Sequence, residues 1–292
     1  MAGRALVVGA GGQLGRDLIH AAARDPRWTC IGLTEADLDI TDRHAVRDAI
    51  AGRRPDVVIN AAAYTDVERA EEEPDAAQRV NAEAAGIVAE EAARADAAAL
   101  YVSTDFVFDG AATAPYEPDA PIHPLSIYGA TKAEGEARTR EANPRHFVVR
   151  TAWLYGPGGA NFVEKILSAA ATRPELRIVS DEIGSPTHTR DLAEALLALC
   201  ATTRWGTYHC VNAGACSRYE LALSFLEMAG LTVAVTPCNA EDFPSKAVRP
   251  RYSVLSNARI EAAIGRLMRP WRDALADYMA RRAGAAGRDN QR

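Results

Sequence analysis

Apolar residues fall into short continuous runs separated by amphipathic stretches, and this alternation is regular through the first half of the chain. Leu6 to Val8 reads as a buried strand, and Gln13 to Arg24 then sets Leu14, Leu18 and Ala21 or Ala22 at helical spacing. A second strand near Trp28 to Leu33, a short helix from Arg43 to Ile50 and the apolar run Val57-Val58-Ile59 ending at Asn60 continue the pattern. Asp75 to Arg94 then reads as a long alanine-rich helix, Ala99 to Ser103 as a strand, Ser126 to Glu141 as a helix and Phe147 to Arg150 as a strand. Strands apolar on both faces and alternating with helices predict an α/β fold, a doubly wound parallel sheet covered on both sides.

After Arg150 the texture changes. YGPGG at 155–159 leads into shorter elements punctuated by Pro174, Pro186, Pro237, Pro244 and Pro250. We therefore expect residues 1–152 to form one domain, its sheet completed by segments between about 176 and 212. Residues 153–292 then form mainly a smaller C-terminal α/β lobe. The end, ARRAGAAGRDNQR, has no apolar periodicity and reads as a frayed tail from about 284.

Composition narrows the partners. The 292 residues carry 33 basic and 39 acidic side chains, a net charge of -6, with no basic run of the kind nucleic acid requires. No apolar run reaches the roughly 18 residues of a membrane span, so neither nucleic acid nor membrane is an expected partner and the cytoplasm is the expected location. Five cysteines without a CxxC pair suggest neither a disulfide framework nor a zinc site.

Two constellations carry chemistry. In ALVVGAGGQLGRDLI the pattern GxGxxG fails, because Leu14 holds its third position. GxxGxxG fits instead, with Gly9, Gly12 and Gly15 between a strand and a helix, where backbone approaches a pyrophosphate at a helix N-terminus. In HPLSIYGATKAEGE, Ser126 caps a helix that sets Tyr128 and Lys132 one turn apart on one face. A phenol with a pKa of about 10 needs help at neutral pH. An ammonium about 4 Å away, at an effective dielectric constant near 20, attracts the phenolate by on the order of 4 kcal/mol, or roughly three pKa units. Ser103 and Thr104 stand at the carboxyl end of a strand, where open α/β sheets place their ligands.

With the glycine turn, the strand-end hydroxyl and the tyrosine-lysine pair in that order, the chain resembles the extended short-chain dehydrogenase/reductases, which have a Rossmann-type fold. Within them it is similar to the dTDP-4-dehydrorhamnose reductases through GAGGQLG, LDITD, NAAAYTDVERAE, STDFVFDG, YGATKAEGE, RTAWLYG, GSPTHTRDLA and VRPRYSVLS, from about residue 6 to 258. The resemblance implies reduction, by NADPH with NADH also accepted, of the C4 ketone of a dTDP-sugar, dTDP-4-dehydro-L-rhamnose. Tyr128 would donate the proton, Lys132 would lower the phenol's pKa and bind the nicotinamide ribose, and Thr104 would hydrogen-bond the ketone oxygen. Gly9, Gly12, Gln13, Leu14 and Gly15, with Tyr128 and Lys132, would bind the cofactor, Gly12, Gln13 and Leu14 approaching its pyrophosphate. Asp39 and Ile40 would meet the adenine. Ala61, Ala62, Ala63, Tyr64 and Thr65 would meet the rest of the cofactor, the last three also the sugar. Asp105 would help hold the substrate, and Trp153 would pack against the nucleotide-sugar.

Several positions depart from that pattern. Phe106 stands where tyrosine is common, and His188, in place of a frequent tyrosine, is given no role. Asp17 matches one carboxylate of a magnesium site, but Arg190 stands where another acid is expected, so no metal is predicted. Thr34 and Glu35 end the second strand, and only Glu35 is of a type to repel a 2′-phosphate. The proline-rich segment 105–125 is read as a partial cover over the sugar, and Arg249 and Arg251 as candidates for a diphosphate. A monomer or homodimer is expected. Two alternatives remain at this stage: a 4-ketoreductase for another dTDP-6-deoxysugar, and a non-catalytic regulatory subunit with the same fold and cofactor.

Overall fold

A computed structural model describes residues 2–243 and 245–289. In chain order the first part comprises β1 Gly3–Val8, α1 Gln13–Ala22, β2 Trp28–Leu33, α2 Arg43–Arg53, β3 Val57–Asn60, α3 Val67–Ala70, α4 Pro74–Gln78, α5 Ala84–Arg94, β4 Ala98–Thr104, α6 Ile127–Ala142 and β5 His146–Thr151. The second part comprises β6 Leu154–Tyr155, α7 Phe162–Ala170, β7 Glu175–Val179, β8 Ile183–Gly184, β9 Thr187–His188, α8 Thr189–Cys200, β10 Gly206–His209, β11 Cys216–Ser217, α9 Arg218–Met228, β12 Ala234–Cys238, α10 Ala258–Ile264 and α11 Trp271–Asp289. No helix among the described residues is long and apolar enough to cross a membrane.

Six strands form one parallel sheet in the order β10-β5-β4-β3-β1-β2. One face carries Val7, Ile59, Leu100 and Val149 against α1 and α8; the other carries Leu6, Val8, Val58 and Ala99 against α2 and α5. This two-faced burial is why the strands read as unbroken apolar runs. The chain leaves β1 for β2 on one side and returns to β3 on the other, so the carboxyl ends of β1 and β3 open onto a crevice where ligands of such sheets bind.

The sheet is completed from within 176–212, by β10 beside β5, with α8 covering it. β7 instead pairs with β12 in the second lobe, whose core gathers Tyr155, Leu176, Phe225, Trp271 and Leu275. The helix expected over Asp75 to Arg94 is present but interrupted. Residues Arg79–Glu83 form a π turn between α4 and α5, a feature frequent at functional sites.

Two expectations need correction. Helix α11 continues to Asp289, past the frayed end expected from about 284, because alanine and arginine sustain a helix without a periodic apolar face; residues 290–292 lie outside the described residues. Segment 105–125 is no cover either, since only Asp105 and Phe106 of it face the cleft. Beyond them the chain folds away. Tyr116 is buried, stacks on Phe108 with ring centroids 4.0 Å apart and donates its backbone N–H to the Val254 carbonyl at 2.8 Å.

Candidate active site

A cleft of about 2120 Å³ runs between the sheet's carboxyl ends and the second lobe. Gly9, Gly12, Gln13, Leu14, Gly15, Asp39, Ile40, Ala61, Ala62, Ala63, Tyr64, Thr65, Thr104, Asp105, Tyr128, Lys132 and Trp153 all line it.

The three glycines do different work. Gly9 has φ +80°, and a Cβ there would lie 2.6 Å from the Ala62 nitrogen; at Gly15 a Cβ would lie 2.3 Å from the Gly9 oxygen. Both positions are closed by the protein's own backbone. At Gly12 the nearest protein atom is 3.5 Å away, so crowding within the chain does not exclude a side chain there. Gly12 is the N-cap of α1 and supplies no side-chain cap, which leaves the first N–H groups of the helix, on Gln13, Leu14 and Gly15, facing outward as an anion cradle. Leu14 is itself core, so its side chain is not available to a ligand. Gln13 uses its side chain to reach the second lobe, donating to the Ala160 carbonyl at 3.0 Å. The cradle fits the diphosphate of a dinucleotide.

Further along this wall, the Asp39 carboxylate accepts from the Thr41 N–H and hydroxyl at 2.8 and 2.7 Å, fixing the turn that presents Ile40. Thr34 is held by Asp37, whereas Glu35 is exposed. After β3, the backbone of Tyr64 is clamped in both directions by the Asn81 side chain, which accepts from its N–H at 2.9 Å and donates to its carbonyl at 3.1 Å. The same amide donates to Thr131 on α6 at 3.2 Å, and the Asn81 carbonyl accepts from the Tyr101 hydroxyl at 2.7 Å.

On the facing wall, Ser126 caps α6 through the Gly129 N–H, and Tyr128 and Lys132 on that helix line the cleft beside Thr104 at the end of β4. Thr104 donates to Asp105 Oδ1 at 3.1 Å and accepts from the Phe106 N–H at 3.2 Å. Its neighbour Ser103 is turned away, donating to Glu136 Oε1 at 2.7 Å in the core. Lys132 is buried; Nζ donates to the Val102 carbonyl at 2.6 Å and lies 4.0 Å from the centre of the Tyr101 ring.

The electrostatics differ from the expectation. Burial pushes the Tyr128 phenol up to about 12, with the Thr104 hydroxyl opposing it, and burial pushes the Lys132 amine down to about 7, with Glu136 opposing it. The attraction reckoned above took two charged partners in a partly screened medium. Here both charged forms lose hydration and Nζ is bonded to a backbone carbonyl, so burial holds the phenol above its ordinary value and the amine below its own. The Asp105 carboxyl is likewise pushed up by burial to about 6, against the hydroxyls of Ser253 and Thr104 and the charge of Arg218; its Oδ2 is buried with no hydrogen-bond partner among the described residues.

The sequence model of the RmlD substrate binding domain matches residues 3–283. The chain is 43% identical to the spore coat polysaccharide biosynthesis protein SpsK of Bacillus subtilis, over 97% of this chain and 99% of that protein. It is 42% identical to a dTDP-4-dehydrorhamnose reductase of Mycolicibacterium smegmatis, over 98% of this chain and 88% of that one. A crystal structure of the dTDP-4-dehydrorhamnose reductase of Bacillus anthracis in complex with NADP superposes with a TM-score of 0.92 at 36% identity, covering 96% of this chain and all of that one. This chain belongs to the dTDP-4-dehydrorhamnose reductase family.

On the substrate side of this family member, several residues sit otherwise than the sequence suggested. Arg249 is paired with Glu68 at 2.8 Å, and Arg251 with Asp181 at 2.8 Å and Glu241 at 2.5 Å. Trp153 has φ +47°, a strained conformation for a bulky residue, and its indole is covered by the Arg218 guanidinium 3.7 Å from the ring centre. His188 lies outside the cleft, buried in a stack with Tyr155, and Asp17 is buried and accepts from the Thr189 hydroxyl at 2.5 Å.

Sequence reasoning missed three residues. Asn81 lies inside what reads as an ordinary helix, and its only signal is an amide in an alanine-rich run. Glu68 on α3 accepts from the Ser245 hydroxyl at 2.6 Å, the Lys246 N–H at 2.8 Å and Arg249, and so straps segment 245–249 to the first domain at the cleft mouth. Arg218, in the first turn of α9, carries no motif signal at all.

Proposed function

We propose that this protein reduces the C4 ketone of dTDP-4-dehydro-L-rhamnose to dTDP-L-rhamnose with NADPH, in the cytoplasm, as a monomer or homodimer. The observation that carries the reading is the meeting of Thr104, Tyr128 and Lys132 on one cleft wall beside the anion cradle of α1, in a chain of this family. The relatives named dTDP-4-dehydrorhamnose reductase and the relative solved with NADP support the substrate and the cofactor.

The backbone of Gly12, Gln13, Leu14 and Gly15 would receive the cofactor's diphosphate, Asp39 and Ile40 would flank its adenine, and Ala61 to Thr65 with Lys132 would line the rest. When bound, the reduced nicotinamide supplies a hydride. Charge then develops on the sugar oxygen, and Tyr128 donates its phenolic proton there. A phenol raised to about 12 is fully protonated at neutral pH, which is the form a donor needs, and it remains a far stronger acid than the alcohol being made. Thr104 has one hydroxyl proton, now given to Asp105. Turning that proton to the ketone oxygen orients the carbonyl, and it frees Asp105 to accept from a sugar hydroxyl. Lys132, anchored on Val102, presents its remaining donor capacity to ribose hydroxyls.

The deciding experiment supplies dTDP-4-dehydrorhamnose and NADPH, follows loss of the reduced nicotinamide and identifies the sugar by NMR. We expect dTDP-L-rhamnose. A product epimeric at C4 would transfer the reading to another 4-ketoreductase, and cofactor binding without turnover would transfer it to a regulatory subunit.

A further inference from the structure

Among the basic residues lining the cleft, most are already engaged. Arg177 is held by Asp242, Arg249 by Glu68 and Arg251 by Asp181 and Glu241, while Lys165 is exposed to solvent. Arg218 differs. Its side chain is only 14% exposed and lies across the Trp153 indole, with the Phe162 ring centre 5.2 Å away. Only Nε has a carboxylate partner, Glu182 Oε2 at 3.3 Å, and the Nη groups donate to no acceptor among the described residues. The stem is largely covered, and the Nη groups keep their donor capacity for an acceptor in the cleft that Arg218 lines.

Its placement favours an anion there. Arg218 is the first residue of α9, whose start is closed by the Ser217–Glu220 capping box, so a cation stands at the positive end of a helix. The charge of Arg249 also acts on it unfavourably. Arg218 and Arg249 thus stand near one another in the cleft beside Trp153, with Glu182 and Asp105 as the acids acting on Arg218 and Glu68 paired to Arg249. A planar fork with both Nη groups free matches two oxygens of a phosphate.

We propose that Arg218, stacked on Trp153, binds the diphosphate of the nucleotide-sugar through its Nη groups, and that Trp153 serves as the shelf that aims it. This rests on the nucleotide-sugar reading above. It also reassigns Trp153, whose ring face is taken by Arg218 and which meets the ligand through that arginine.

The test compares calorimetric binding of dTDP, thymidine and NADPH to wild type, Arg218→Lys and Arg218→Gln. Loss of bidentate, charge-assisted bonds predicts dTDP affinity lower by about 10- to 100-fold in Arg218→Gln. Arg218→Lys should fall between, because it keeps the charge and loses the fork. Thymidine and NADPH affinities should stay within about twofold, because neither uses this site. A collapse of the Trp153 shelf would weaken thymidine and dTDP alike, and that result overturns the proposal, as does dTDP binding at wild-type strength in both variants. Arg218→Lys preserves the stem and charge and keeps the test valid if Arg218→Gln fails to fold. Wild type that ignores dTDP altogether would refute the functional reading itself, an outcome separate from equal binding by wild type and variants.

Discussion

The two walls of the cleft are built by different means. The cofactor wall is made of backbone: strand ends, the first turn of α1 and two glycines that touch neighbouring main chain. The substrate wall is made of side chains that hold one another: Arg218 on Trp153, Glu182 on Arg218, and Glu68 on segment 245–249. A wall of backbone is closed to added atoms where main chain meets main chain, as at Gly9 and Gly15, and its charge is fixed by the helix end rather than by side chains. A wall of paired side chains accepts changes of shape and responds to changes of charge. This difference sets what each should do when perturbed.

The largest effect belongs to the point where the walls meet. Tyr128→Phe removes the proton donor and leaves the ring packed edge-on against Phe106, so turnover should fall by about 10²- to 10⁴-fold with NADPH affinity unchanged. Steady-state rates paired with a cofactor titration check it; full activity in this variant would dismantle the mechanism.

Next comes charge on the substrate wall. The Asp105 carboxyl is raised from 3.8 to about 6 in the fold. Between those values the folded protein holds a proton that the unfolded chain has released, so this group's contribution is complete below about pH 4 and is lost as pH rises through about 6. Asp105→Asn should therefore abolish that slope, and at pH 8 should unfold at higher urea than wild type, by up to about 3 kcal/mol. Parallel urea curves for the two proteins across pH 4–8 would contradict the burial argument.

Crowding on the cofactor wall follows. Gly15→Ala drives a methyl into the Gly9 carbonyl and should cost about 1–3 kcal/mol of stability. Gly12→Ala meets no protein atom closer than 3.5 Å, so it should keep wild-type stability and weaken NADPH instead. Thermal melts with and without NADPH separate the two, and equal melting losses would erase the distinction between the glycines. Smallest is Glu68→Gln, which loosens the strap: KM for the sugar substrate should rise a few-fold while kcat and NADPH binding hold. A change in NADPH affinity alone would mean the strap belongs to the other wall.

What was legible in the sequence follows the same division. The parallel sheet, the turn at Gly9 to Gly15 and the Tyr128–Lys132 helix were readable because each is encoded in neighbouring residues by strand runs, glycine spacing and helical period. Asn81, Glu68 and Arg218 were not, since their meaning lies in partners far along the chain. Asn81 reaches Tyr64 across 17 positions, and Arg249 reaches Glu68 across 181. The sign of the electrostatic effect at Tyr128 and Lys132 also escaped, because spacing reveals that two groups are near but not that both are dry. Arg249 and Arg251 illustrate the converse: their charge was visible, and the acids that occupy them were not.

The π turn at Arg79–Glu83 ties the length of a helix to the backbone that lines the cleft after β3. Each residue of an α-helix turns the chain by about 100°, so excising one position from that turn would rewind the coil and swing Asn81 off Tyr64 and Thr131, though neither catalytic side chain had been touched. Homologues aligned through this stretch with a one-residue gap would thus be expected to hold the backbone after β3 by some other anchor.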